Sequence, residues 1–291
     1  MSTIVVGVDG SESALGAVRW AAEEAALRAD TVRLVHAYVV PLHGYPDFVA
    51  TFPRLRDGMR HQGGAWLDEA RETVGAVAPD VPVETDLVEE EAVSALVEES
   101  RRARITVLGS RGLGGFTGML VGSVAVGLAT HGHSPVVVVR RSTESLGPEA
   151  PIVVGADGSE ASTAALRFAF DEAVARAAPV TVVRTWRGIF LDEAVPRYPM
   201  KVDPAEIEDG ERAALAEQVG PLRESHPDIA VETVVVRGRP VRTLLHHGRS
   251  ARMLVVGSRG RSGFSGMLLG STSQALVTHA PCPVAVIRSG E

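Results

Sequence analysis

Short apolar runs rich in β-branched residues alternate along this chain with longer stretches whose apolar positions recur at helical spacing. Residues 4–8, IVVGV, form such a run and predict a buried parallel strand. Ser11 or Ser13 can cap the helix that follows. Within it Ala14, Leu15, Val18, Ala22 and Ala25 form an apolar stripe, and Glu23, Glu24 and Arg28 are expected to face solvent. The pattern then predicts a strand at 32–38, a Pro-containing loop at 41–54, a helix at about 59–77 that ends at Pro79, and a strand at 83–88. A helix at 92–103, a strand at 105–108, a helix at 123–131 and a strand at 135–139 complete the series. The second half of the chain reads the same way. Such β-α-β alternation predicts an α/β fold, a Rossmann-like parallel sheet with helices on both faces. Ligands of such sheets bind at the carboxyl ends of the strands.

The series runs twice because the sequence is repeated. IVVGVDGSE at 4–12 returns as IVVGADGSE at 152–160, an offset of 148. The runs that begin at Gly109 and Gly257 have the same offset, and 11 of 15 positions match. His131/His279, Pro135/Pro283, Pro79/Pro227 and Arg140/Arg288 keep it too, so no net insertion separates the copies. Two domains are expected, 1–140 and 151–291, joined by a polar linker at 141–150.

Composition narrows the classes. A net charge of -7, from 29 basic and 36 acidic residues, argues against a nucleic-acid scaffold. No apolar run approaches the ~20 residues that cross a bilayer. The first residues, MSTIVVGVDGS, lack the basic region of a signal peptide. The one cysteine, Cys282, has no internal partner and reads as a small buried residue. A cytoplasmic protein in a reducing compartment is expected. Lys201 is the only lysine, which removes most lysine-dependent mechanisms.

Two segments at strand carboxyl ends carry candidate chemistry. Asp9, in VDGS, and Asp157, in ADGS, place a carboxylate where a ligand would lie, able to accept from a ribose or an adenine amino group. The plain alternative is an Asp-Gly-Ser turn leading into a helix cap. The glycine-rich run is the second segment. Gly109 and Gly112, or Gly257 and Gly260, let the backbone come close to a ligand. Gly122-Ser123 and Gly270-Ser271 open helices whose free amides attract anions. Arg111 and Arg259 can neutralise phosphate where a Walker lysine is absent. The alternative is a glycine loop shaped by packing alone; two copies with identical spacing, each between a strand and a helix, favour phosphate binding. Glu89-Glu90-Glu91 in the first copy stands where the second has Arg237-Gly238-Arg239. It reads as a solvated helix start; should it reach a nucleotide, the first site would be the weaker. His131 and His133, and His246 and His247, do not form a metal set, so no metal site is expected. His36 becomes Arg184 in the second copy, which argues against an essential imidazole. Trp66, Trp186 and Phe168 read as core or rim packing.

These residues resemble the universal stress proteins, in the tandem form common in actinobacteria. ATP-binding members of that family carry G-x2-G-x9-G-[ST], matched by Gly109, Gly112, Gly122 and Ser123, and by Gly257, Gly260, Gly270 and Ser271. The aspartates match as well, and the likeness extends to the HxxxPV closing strands. The resemblance implies five strands per domain in the order 3-2-1-4-5. It implies adenine near Asp9 and Ala37, and near Asp157 and Thr185, with backbone contacts at Val8 and Leu108, and at Ala156 and Val256. It implies a triphosphate over the glycine loop and the helix starts at Ser123-Val124 and Ser271-Thr272.

The expected function is therefore binding of ATP, up to two per chain, in a regulatory stress-response protein without a dedicated catalytic site. No general base with an orienting partner occurs in both copies. The alternative is a slow ATP hydrolase or a nucleotidyl-transfer enzyme on the same fold, with Mg2+ and a water acting at the bound nucleotide. The apolar closing strands PVVVVR and PVAVIR, through which the family pairs, point to association of fifth strands, as a homodimer or between the two copies. An unknown protein partner is expected; nucleic acid and membrane are not.

Overall fold

The computed structural model describes residues 2–40, 52–112, 122–140, 146–147, 149–186, 203–261 and 269–289. The chain divides into two compact units, 1–142 and 143–291. In the first, the elements run β1 (Thr3–Gly7), α1 (Glu12–Arg28), β2 (Thr31–Ala37), α2 (Phe52–Val77), β3 (Val83–Val88), α3 (Ala92–Ser100), β4 (Ile105–Gly109), α4 (Ser123–His131) and β5 (Val136–Val139). In the second they run β6 (Ile152–Gly155), α5 (Glu160–Arg176), β7 (Val180–Trp186), α6 (Pro204–Ser225), β8 (Val231–Arg237), α7 (Pro240–His247), β9 (Met253–Gly257), α8 (Ser271–His279) and β10 (Val284–Ile287).

Each unit holds a five-stranded parallel sheet. The order is β3-β2-β1-β4-β5 in the first and β8-β7-β6-β9-β10 in the second. The central registers correspond: Ile4 pairs with Ile105 as Ile152 pairs with Met253. The switch in strand order falls between β1 and β4, and between β6 and β9, and in the first unit a cleft opens at the carboxyl ends there.

The central strands are apolar on both faces because helices cover both. In the first unit α1 packs with α2, and α3 packs with α4. Ile4, Leu34, Ile105 and Leu128 are fully buried between these layers. Each such side chain contributes about 1.5–3 kcal/mol of burial. The outer strand β3 is less buried, with Glu84 exposed and its other residues half-buried. There Arg33 reaches across the strands to Asp86 at 2.6 Å and to Glu99 of α3 at 2.7 Å.

Several expectations are corrected. Helix α2 begins at Phe52, not near residue 59, and α3 ends at Ser100 rather than 103. Leu15 is only half-buried, whereas Ala17, Trp20 and Ala21 join the buried face of α1. Glu24 does not face solvent: it is fully buried, accepting from Arg28 Nε at 2.8 Å and from Arg104 Nη2 at 2.7 Å. Arg104 also donates to Asp30 at 2.7 Å. The cluster ties the end of α1 to the segment before β4. Lys201, most of the linker at 141–150, the loop at 41–51 and the interiors of both glycine runs, 113–121 and 262–268, lie outside the described residues.

Candidate functional site

In the first unit the carboxyl ends of β1, β2 and β4 and the start of α4 border one cleft of about 290 Å³. The sequence-selected residues Val8, Asp9, Ala37, Leu108, Gly109, Arg111, Gly112, Gly122, Ser123 and Val124 all line it. Positions 37 and 108 are 71 residues apart in the chain. The parallel register brings them together through β1.

The floor is built by short-range sterics. A Cβ on Gly109 would lie 2.6 Å from the backbone of Ser13, so only glycine lets β4 end against the start of α1. A Cβ on Gly112 would overlap Asp9 Oδ2. The head of the glycine run thus lies directly on the aspartate. Ser11 Oγ donates to the Arg111 carbonyl at 3.2 Å, and the Arg111 amide donates to Ser13 Oγ at 3.3 Å. The loop closes where the Gly122 amide donates to the Ser110 carbonyl at 2.9 Å.

The same closure recurs in the second unit. The Arg261 amide donates to Asp157 Oδ2 at 2.9 Å, and the Ser159 amide to Oδ1 at 2.9 Å. Gly270 donates to the Ser258 carbonyl at 2.7 Å, and Ser273 Oγ to the Gly257 carbonyl at 2.6 Å. Gly260 lies against Asp157 as Gly112 lies against Asp9. Ala156, Val256 and Gly257 sit at the ends of their strands, and Thr185 lies one residue from the end of β7. Ser271 and Thr272 open α8. Arg259 is exposed beside them.

The aspartates prove to do turn work as well. Each accepts from the amide two residues on, Asp9 from Ser11 at 3.1 Å. Burial alone raises the pKa of Asp157, but hydrogen bonds from Ser159, the Arg261 amide and Ser162 outweigh it and hold the carboxyl below the ordinary 3.8. An ionised carboxylate has about four lone-pair directions, so capacity for a ligand hydroxyl remains.

The helix starts differ in a telling way. Ser11, Glu91, Ser159 and Asp203 cap α1, α3, α5 and α6 through side-chain oxygens. The N-caps of α4 and α8 are Gly122 and Gly270, which supply no such oxygen. The start of α7, with Arg239 as N-cap, lacks a side-chain acceptor as well; the start of α4 is the one that borders the first cleft, an arrangement that favours an anion there.

Pattern reading missed the apolar walls, Gly7, Val35, Ala92, Leu96 and Ala125. It also passed over Arg140, which follows β5 next to Arg111. Burial and then the Arg111 charge lower the guanidinium pKa of Arg140, the mark of two cations held close. Its signal was present, since Arg140 and Arg288 share the repeat offset. The acidic run is settled in favour of the helix start. Glu91 accepts from the Val93 and Ser94 amides at 2.8 and 3.1 Å, and Glu89 accepts from Arg56 at 2.7 Å. Trp66 is rim packing: its ring lies over Gly10, edge-on to His36 at 5.1 Å between centroids. His36 Nδ1 donates to the Val8 carbonyl at 2.7 Å. Trp186 is buried, and Cys282 is buried with its thiol pushed up to about 12 by desolvation.

The family model for the universal stress protein family matches residues 1–140 and again 150–288. The chain belongs to the universal stress protein family. Its relatives include universal stress protein Rv2623 of Mycobacterium tuberculosis, 36% identical over 291 residues that cover 98% of this chain and 96% of that one. A universal stress protein of Mycolicibacterium smegmatis is 34% identical over 98% of this chain and 96% of its own. Among solved structures, a universal stress protein from Archaeoglobus fulgidus superposes with a TM-score of 0.72, covering 99% of this chain and 98% of that one, at 19% identity. That last likeness is one of fold. No described helix is long and apolar enough to cross a membrane.

Proposed function

We propose that the protein is a cytoplasmic, nucleotide-dependent regulator that binds ATP, one per unit. The observation that carries this reading is the pairing, across one cleft of the first unit, of a helix start that has no side-chain cap with an aspartate; the second unit repeats the glycine-on-aspartate contact and the helix start without a side-chain cap. The helix start takes phosphate through backbone amides, Ser123 and Ser271. The carboxylates of Asp9 and Asp157 take ribose or adenine donors. Arg111 and Arg259 add charge that a Walker loop would draw from lysine. The apolar walls suit a purine. Mg2+ accompanies the triphosphate and is held by its oxygens. Glu91 is engaged at the start of α3 and Glu89 with Arg56 of α2, so neither gives a reason to rank the first site below the second.

No base with an orienting partner recurs in both copies of the sequence, which favours retention over turnover. Binding stabilises one state of each unit and thereby biases a protein partner or a homodimer formed through fifth strands. The test is direct. Purified protein is titrated with ATP by calorimetry, and phosphate release is followed over hours. Two nucleotides per chain with release far below about 1 per second support the regulator. No heat signal, and no copurifying nucleotide, would overturn it.

A further inference from the structure

The two sites are built on one plan but differ beside the glycine that follows the aspartate. In the first unit the residue after the aspartate, Gly10, has φ +80 and lies under the Trp66 ring. In the second, Gly158 has φ +83, and the nearest described atoms belong to Arg261 and Arg184 rather than to a ring. By the repeat offset Trp66 becomes Ala214, Gly63 becomes Glu211, His36 becomes Arg184 and Leu113 becomes Arg261. These exchanges are coupled. A Cβ on Gly63 would lie 2.5 Å from His36, so the ring needs the glycine. In the second unit the longer Arg184 instead pairs its Nε with the Glu211 carboxylate.

Arg261 occupies that place. Its Nε and Nη2 each lie 3.2 Å from the point that a Cβ on Gly158 would take, and Arg184 Nη1 lies 3.6 Å from the same point. The Arg184 charge is matched by Glu211. The guanidinium of Arg261 is exposed and makes no hydrogen bond or ion pair among the described residues. Its own amide holds Asp157, so the backbone fixes where the side chain starts. A guanidinium without a partner among the described residues is thus placed against Gly158, the residue after the carboxylate assigned to a ligand hydroxyl.

We propose that the second site selects an adenine nucleotide carrying an additional phosphate on its ribose, and that Arg261 reads that phosphate. The inference rests on the nucleotide-binding reading above. A ribose offers two neighbouring hydroxyls. Asp157 accepts from one, and an ester phosphate on the other meets the planar fork of Arg261, which suits two phosphate oxygens at once. Two amides already donate to Asp157, which reduces its repulsion of a nearby anion. Among the described residues the first site offers no equivalent: beside Gly10 stand the Trp66 ring and His36, whose Nδ1 proton is committed to the Val8 carbonyl.

The test titrates the full chain with AMP, adenosine 2′,5′-bisphosphate and adenosine 3′,5′-bisphosphate. One bisphosphate should bind one site per chain about tenfold or more tighter than AMP. Arg261→Leu, which installs the residue of the first copy, should return that site to the AMP affinity. Arg261→Lys should keep part of the gain. Gly122→Val, which obstructs the first cleft, should leave the tight bisphosphate site in place. Equal binding of AMP and both bisphosphates overturns the proposal while leaving the nucleotide reading intact. So does an advantage that survives Arg261→Leu or disappears in Gly122→Val. A chain that binds neither AMP nor ATP overturns the reading and the proposal together.

Discussion

Single residues here are fixed by what surrounds them more than by their own preference. Glu24 lies on the helical face that periodicity assigns to solvent, yet it is fully buried. Its partner Arg104 comes from 80 residues further along the chain, and no local pattern announces that. Arg28 and Arg104 keep 23% and 22% of their side-chain exposure, so the cluster is not sealed. Glu24→Ala should therefore cost about 2–3 kcal/mol, somewhat less than loss of a fully buried pair, read as a lowered urea midpoint. Cys282 is the opposite case, legible as a small buried residue. With its thiol pushed up to about 12, it should not react with a disulfide reagent at pH 8 in the native state. Labelling at the rate of a free thiol would refute its burial. Asp157 gives a pH effect of definite sign. Its native carboxyl titrates below 3.8, so the unfolded chain takes up the proton first. The stability it contributes is complete above that value and is lost as pH falls through the native pKa. Asp157→Asn should flatten the acid limb of the stability profile.

At the scale of elements, most of the fold could be read from the sequence. Buried parallel strands announce themselves as short β-branched runs, and the repeat offset let each copy check the other. The strand order came from resemblance, because pattern alone does not say which strands are neighbours. Boundaries were less legible. Helix α2 begins before its apolar periodicity does, with residues 53–58 exposed. The site residues were legible because glycine spacing is set by close backbone approach at Gly109 and Gly112. The Trp66 and Arg261 walls were not, since each depends on which side chain fills space left by another. One element detail yields a stability prediction made twice. Helices α1 and α5 end on Ala29 and Ala177, both exposed and left-handed, at φ 53 and 47. A Cβ is unfavourable there, and glycine is the usual occupant. Ala29→Gly and Ala177→Gly should each raise stability by about 0.5–1 kcal/mol in urea unfolding. A loss in either would mean that unfolded-state entropy outweighs the relieved strain.

For the whole molecule, duplication matters because each unit has its own core and its own copy of the candidate site residues. Ligand binding to a native unit stabilises that unit by about 2.7 kcal/mol at a hundredfold excess over the dissociation constant. ATP should therefore delay thermal unfolding of both units, and a local block should cancel the effect in one only. Gly122 is suited to such a block. Its backbone, at φ -69 and ψ 145, accepts any residue, and the nearest atom to an added Cβ is 3.9 Å away. Gly122→Val should thus fold normally without nucleotide, yet place a branched side chain over the amides that open α4. Calorimetric scans of this variant with ATP should show one unit still shifted upward and the other unmoved, with bound ATP reduced from two to one per chain. An unchanged stoichiometry of two would remove the first cleft from the nucleotide reading. Loss of both sites would overturn the reading that each unit binds its own nucleotide.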